Sequence, residues 1–245
     1  MKILFSLACL LLFIVSCAPT RKDSVPSAGY YLQEGEKQFD AGMYEEAIKS
    51  WEKVRDSYYS PELNTLAEMK IAEAHFRAKD YVEAAAAYED FLKQHPDHER
   101  TSQILYQLGM SYYEQILSLD RDQTATHNAL ATFRNLLKRF PEDPHSEEAS
   151  TYIARCVNQL AAHELYVGRF YLHSKDYKAA IKRLKGIFDL YPGFDGRDQV
   201  YFYLGEAYLR AGDRDEAIKV FDTLFDEFPG SEYLIEARKI LEKYT

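Results

Sequence analysis

The chain has 245 residues, 47% of them hydrophobic, enough to bury a sizeable core. Its net charge of −9 argues against a nucleic-acid partner, because a phosphate backbone needs a basic face. Three cysteines, Cys9, Cys17 and Cys156, exclude a disulfide framework.

Residues 1–16 carry one charge, Lys2, followed by an apolar run from Ile3 to Val15. The run is too short to span a bilayer as a helix and has the length of a signal peptide. It ends in Ile14-Val15-Ser16-Cys17, which resembles the bacterial lipobox, with Ile where the pattern favours Leu. The resemblance implies cleavage before Cys17, lipidation of that cysteine and a membrane attachment through the acyl chains. Ala18 follows, where aspartate would signal inner-membrane retention in enteric lipoproteins, so the outer membrane is expected. Residues 17–29 include Pro19 and Pro26 among small polar residues and read as a tether.

From Tyr30 a single stencil recurs. In Tyr81–Pro96, Tyr81, Ala84, Tyr88 and Phe91 fall at steps of three, four and three, the spacing of one helix face, and Pro96 ends the helix. The small residue returns at Ala47, Ala84, Ala129, Ala180 and Ala217. A second small residue, Gly35, Ala72, Gly168 or Gly205, lies twelve positions before four of these alanines and marks a preceding helix. The pattern resembles the tetratricopeptide repeat, with a period of 37 where that family has about 34. It predicts an all-α, right-handed solenoid of five helix pairs plus a C-terminal capping helix. Repeats one to three are expected over 30–141. A long bridging helix, repeats four and five and the cap are expected over 142–245.

Two irregularities break the period. Gly109 precedes Ala129 by twenty, which places eight extra residues, including Asp120-Arg121-Asp122, inside repeat three. Alternating charges there suit caps and local ion pairs, with Asp122 able to cap the next helix, or a partner contact. A further fourteen residues precede Gly168, and Ser146-Glu147-Glu148 is a helix start. No Pro or Gly interrupts the pattern until Gly168, so one helix running to about His173 is expected. Ser231–Tyr244 reads as the final helix, with Glu232, Glu236, Lys239 and Lys243 outward.

The twenty tyrosines and fourteen phenylalanines fill helix-pair interfaces in the main, with some left to line a concave groove. Tyr31, Tyr81, Tyr106 and Tyr112 are the groove candidates. Cys156 lies on an apolar helical face and reads as core. His95-Pro96-Asp97-His98 lacks the further ligands a metal site needs, and no metal or other cofactor is expected. No phosphate loop or nucleophile motif is present, so catalysis is not expected. Lys175, Lys178, Lys182 and Lys185 form a stripe at steps of three, four and three on the helix expected over 175–191.

Asp120-Arg121-Asp122, then Ala129, Phe133, Leu160, Glu164, Tyr171, Tyr177, Ala180 and Arg183, resemble the BamD family of outer-membrane assembly lipoproteins. The resemblance implies a periplasmic, lipid-anchored scaffold that binds a barrel-forming subunit, other assembly lipoproteins and unfolded outer-membrane proteins. It puts Arg183 at the barrel-subunit contact. The stripe itself makes Lys178, Lys182 and Lys185 either further partner-binding residues or a solvated basic face, and Asp120, Arg121 and Asp122 remain candidates for a partner contact beside their capping reading. The alternative is a repeat lipoprotein of another envelope machine, such as a pilus secretin pilotin or a cell-wall coordinator. Pilotins keep regular repeats, and Ala18–Tyr30 is too short for the coordinator's coiled coil.

Overall fold

A computed structural model describes residues 26–56 and 60–244. Eleven helices, and no strand, form among the described residues. They are α1 (Ala28–Asp40), α2 (Tyr44–Arg55), α3 (Pro61–Arg77), α4 (Tyr81–Gln94), α5 (Thr101–Tyr113), α6 (Thr124–Arg139), α7 (Ser146–His173), α8 (Tyr177–Leu190), α9 (Arg197–Ala211), α10 (Arg214–Glu227) and α11 (Leu234–Lys243). Each helix packs on the next in sequence, giving five antiparallel pairs and a cap. Odd helices of adjacent repeats also touch, α1 with α3, α7 with α9 and α9 with α11. Among the described residues no even-numbered pair makes a comparable contact, so the odd helices form the inner layer.

The stencil works by close approach. The small residue of the first helix in a pair receives a large side chain from the second. A Cβ on Gly35 would land on the Trp51 indole, and one on Gly109 would lie 2.6 Å from the Phe133 ring. The same collision follows at Gly168 with Leu184, 2.7 Å, and at Gly205 with Phe221, 2.6 Å. In repeat two Ala72 and Tyr88 stand at the equivalent places, both buried. The partner is sixteen residues on in four repeats and twenty-four in the third, which locates the eight-residue insertion between α5 and α6.

Four apolar clusters run along the chain. Helix α7 belongs to two of them. Ala149, Cys156 and Leu160 sit in the cluster of repeat three, and Ala161, Leu165 and Leu172 in that of repeats four and five. The long bridging helix is therefore present with the expected bounds, 28 residues without a break. Burial pushes the Cys156 thiol up to about 11, as for an inert core cysteine.

Two boundaries differ from the sequence reading. Helix α1 starts at Ala28, inside the expected tether, because the Ser27 hydroxyl caps it by accepting the Tyr30 N–H. The last helix starts at Leu234 and not at Ser231. The Ser231 hydroxyl donates to Asp198 and accepts the Tyr233 N–H, which holds residues 231–233 as a turn. Glu232, Glu236, Lys239 and Lys243 are exposed, as a terminal repeat requires.

One turn position recurs five residues before the small residue of the second helix. Gly42 and Gly212 fill it with φ of 76° and 86°, but Lys79 and Lys175 fill it with φ of 66° and 63°. A side chain in the left-handed region costs about 1–2 kcal/mol, partly offset by the greater unfolded freedom of glycine. Lys79→Gly is therefore expected to stabilise the chain by roughly 0.5–1 kcal/mol in urea denaturation. A loss of stability would reveal a compensating contact by the Lys79 side chain.

Candidate functional site

The first candidate face is the seam of α7 and α8. Gly168 lets Leu184 close onto α7, and Arg183, next in sequence, then reaches across. Its Nη1 donates to both Glu164 carboxylate oxygens, at 3.0 and 2.9 Å. The Arg183 side chain is 45% exposed and that of Glu164 21%, so the pair stands at the surface with its carboxylate half sunk. A cavity of about 530 Å³ beside it is lined by Tyr171, Ala179, Lys182 and Leu190 as well as the pair. Leu190 is 68% exposed. Tyr177, Ile181, Leu184 and Phe188 face the core.

Lys178, Lys182 and Lys185 are exposed on α8, so the expected stripe is present with three members on the helix. Lys175 is not on the helix. Its φ of 63° makes it the turn residue before the cap Asp176, whose carboxylate accepts the Ala179 N–H. Glu216 of α10 has its carboxyl held below the usual range, by Lys219 first and with Lys185 contributing.

The insertion between α5 and α6 folds upon itself and is pinned to α7. Gln123 is buried, and its amide donates to the Ser118 and Arg121 carbonyls while its oxygen accepts the Thr126 hydroxyl. Gln159 donates to the Leu117 carbonyl at 2.9 Å, and His163 Nδ1 donates to the Leu119 carbonyl at 2.6 Å. Asp120 accepts the Ser118 hydroxyl and Asp122 accepts the Thr124 N–H at the start of α6. Those bonds hold both carboxyls below their ordinary range, so the Asp122 contact is kept above it and lost as pH falls through it. Asp120, Arg121 and Asp122 are all exposed. Sequence reasoning missed Gln123, Gln159 and His163, whose roles depend on which carbonyls the fold brings near.

The groove candidates scatter. Tyr31 packs against the α2 cluster with the Lys53 ammonium 4.6 Å above its ring. Tyr81 meets Phe76 edge-on at 5.4 Å. Tyr112 donates to Glu89 and ties α5 to α4, and burial followed by that bond pushes its phenol above the usual range. Tyr106 is 7% exposed and stacks on His145 at 4.1 Å. Of the four only Tyr106 lines the cavity of about 310 Å³ between α3 and α5. Met69, Phe76, Arg77, Arg100, Ile104 and Met110 line it too, and none of them stands out in the sequence.

His95 pairs with Glu68 at 2.8 Å, and His98 accepts the Arg100 N–H. No group of three or more metal-type ligands gathers among the described residues. No described helix is long and apolar enough to cross a membrane. Cys17, the expected lipidation site, lies outside the described residues.

A ladder of helix pairs, each closed by a small residue of the first helix against a large side chain of the second, defines a helical-repeat protein of the tetratricopeptide type. The chain belongs to the outer membrane lipoprotein family YfiO, whose model matches residues 24–219. Among curated proteins it is similar to the outer membrane protein assembly factor BamD of Vibrio cholerae, 28% identical over 196 residues, 76% of this chain and 81% of that one. The Rickettsia prowazekii BamD is 29% identical over 194 residues, 78% of this chain and 76% of its own. The Caulobacter vibrioides BamD is 29% identical over 155 residues, 63% of this chain, and the match spans 51% of that relative. Among solved structures, the TPR2AB domain of yeast Sti1 in its pHSP90 complex covers 89% of this chain and 98% of its own, with 14% identity and a TM-score of 0.42. A MamA crystal structure covers 81% and 90%, with 18% identity and a TM-score of 0.37. Superpositions that loose carry no argument about function, and the fold assignment rests on the repeat geometry of this chain.

Proposed function

We propose that this protein is a lipid-anchored scaffold in outer-membrane β-barrel assembly. It hangs from the periplasmic face of the outer membrane by acylated Cys17. It docks the barrel-forming subunit with the Arg183 seam of α7 and α8, and takes unfolded barrel precursors along the inner layer of repeats one to three. Membership in an outer membrane lipoprotein family supports the location, and the BamD relatives support the assembly role. The observation that carries the reading is that the chain has two unlike open surfaces far apart in sequence: the Arg183 seam of α7 and α8, and a cavity of mixed apolar and cationic lining between α3 and α5.

Capture of the tagged protein from detergent-solubilised outer membrane, with companions identified by mass, tests the assembly role. A barrel-forming subunit with periplasmic domains is the expected companion. Recovery of a pilus secretin or of cell-wall enzymes in its place overturns the reading. For the anchor, Cys17→Ser is expected to shift the protein from the outer-membrane fraction into the salt wash, because stable attachment needs the acyl chains. Retention of Cys17→Ser in washed membranes would show that the anchor lies elsewhere.

A further inference from the structure

In a chain with a net charge of −9, the cations of the outer layer are unevenly placed. Helices α4 and α10 hold more acids than bases, and α2 as many of each. Helix α6 holds no acidic residue at all, and α8 has Asp189 alone. Tyr191, which ends α8, packs into the apolar cluster of α6 as well as into its own, so the two outer faces are neighbours. A basic block therefore sits between acidic flanks.

Two rows make up the block. Ala131, Arg134 and Lys138 fall at steps of three and four on α6, and Lys178, Lys182 and Lys185 at steps of four and three on α8, and all six are exposed. Among the described residues no carboxylate forms an ion pair with any of these five cations. Arg183 differs, because Glu164 holds it at the seam. The rows also lack an apolar anchor. Among the described residues α6 has no large hydrophobic side chain that is exposed, and α8 has only Leu190, which lines the seam cavity. A shaped protein partner would use such an anchor. Hydrated ammonium groups without one suit a fluid anionic surface instead. Cys17 lies eleven residues before α1, so an acyl anchor there keeps the fold within about 40 Å of a bilayer.

We propose that the outer face of α6 and α8 rests on an anionic phospholipid surface, with Arg134, Lys138, Lys178, Lys182 and Lys185 over the headgroup phosphates. The acidic flanks are repelled by the same surface, so the attraction orients the solenoid as well as holding it. It acts only within about one screening length, roughly 8 Å at physiological salt, which the tether allows. The proposal rests on the reading that the chain is anchored to a membrane, and adds which face it turns towards the lipid.

The test uses the mature chain from position 17 carrying Cys17→Ser, so that no acyl chain contributes. Its co-sedimentation is measured with vesicles of phosphatidylethanolamine and phosphatidylglycerol, and with vesicles of phosphatidylcholine. Binding is expected on the anionic vesicles alone, and is lost at about 1 M salt, where the screening length is about 3 Å. Changing Lys178, Lys182 and Lys185 together to Gln is expected to weaken it by at least about tenfold. The same change at Lys37, Lys49 and Lys93, exposed lysines elsewhere, alters the net charge equally and is expected to leave binding within about twofold of the parent. Circular dichroism checks that both triple variants stay folded. Equal losses in the two variants would reduce the effect to net charge and overturn the face. Equal binding to both kinds of vesicle, or to neither, overturns it too and leaves the anchor standing, since membrane fractionation of Cys17→Ser tests that separately. Loss of a protein companion by the α8 variant, without vesicle binding by the parent, would give the face to an acidic protein and overturn the lipid assignment.

Discussion

Truncating Phe133 to alanine is expected to destabilise the chain by about 3–5 kcal/mol, the range for emptying a fully buried aromatic site. Phe133 is 0% exposed, lies against the bare backbone of Gly109 and stacks on Tyr152 of α7 at 5.3 Å. It thus joins three helices, so the cavity has little freedom to collapse. The reverse change, Gly109→Ala, drives a methyl to 2.6 Å from the same ring and is expected to cost about 1–3 kcal/mol by overpacking. In the double variant the methyl enters the emptied space, so the two costs are expected to fall short of their sum by about 1 kcal/mol or more. Urea denaturation followed by circular dichroism measures all three. Strict additivity, or a cost below about 1.5 kcal/mol for Phe133→Ala, would deny that the small-to-large pairing holds the repeats together.

Reversing the charge at the outer seam has the largest expected effect on binding. Arg183→Glu sets a second carboxylate against Glu164 and replaces the cation of the proposed dock with an anion. Capture of the barrel-forming subunit is expected to fall by about thirtyfold or more, the scale for losing one side of a hydrogen-bonded charge pair. Far-ultraviolet circular dichroism should be unchanged, since Arg183 is half-exposed and outside the core. Glu164→Gln supplies the contrast. It removes the internal competitor for the guanidinium, so capture should be kept or tightened. Parent-like capture by Arg183→Glu would move the dock off this seam, and a matched acidic-to-basic change on the partner should restore what Arg183→Glu loses.

The repeat skeleton was legible because its signal is local and repeated. Gly35 and Trp51, or Gly205 and Phe221, are residue types chosen by one contact, and the contact recurs at fixed spacing. Helix α7 was legible for a different reason: from Ser146 to Gly168 nothing stops a helix, and Gly168 is there for Leu184. The inner trough was not. Met69 and Phe76 come from α3 and Arg100 from the turn before α5, and they repeat nowhere, while Tyr81, the residue the pattern advertises, is spent on packing against Phe76. The Arg183–Glu164 pair lies between. Both residues were visible, but their meeting across nineteen positions depends on how closely α8 approaches α7. Lys175 went astray because a left-handed turn residue has no signature when it is not glycine.

Helix α7 is about 42 Å of unbroken rod, from 28 residues at about 1.5 Å each. A rod with a full set of backbone hydrogen bonds is a poor hinge, because each bend must stretch several of them together. A push on the repeat-three end is passed to the α8 end as rotation of a lever rather than absorbed as local flexing. Its two ends sit in different apolar clusters, so each has its own bearing in the fold. A displacement of the repeat-three cluster would therefore reach the cluster of repeats four and five through one beam.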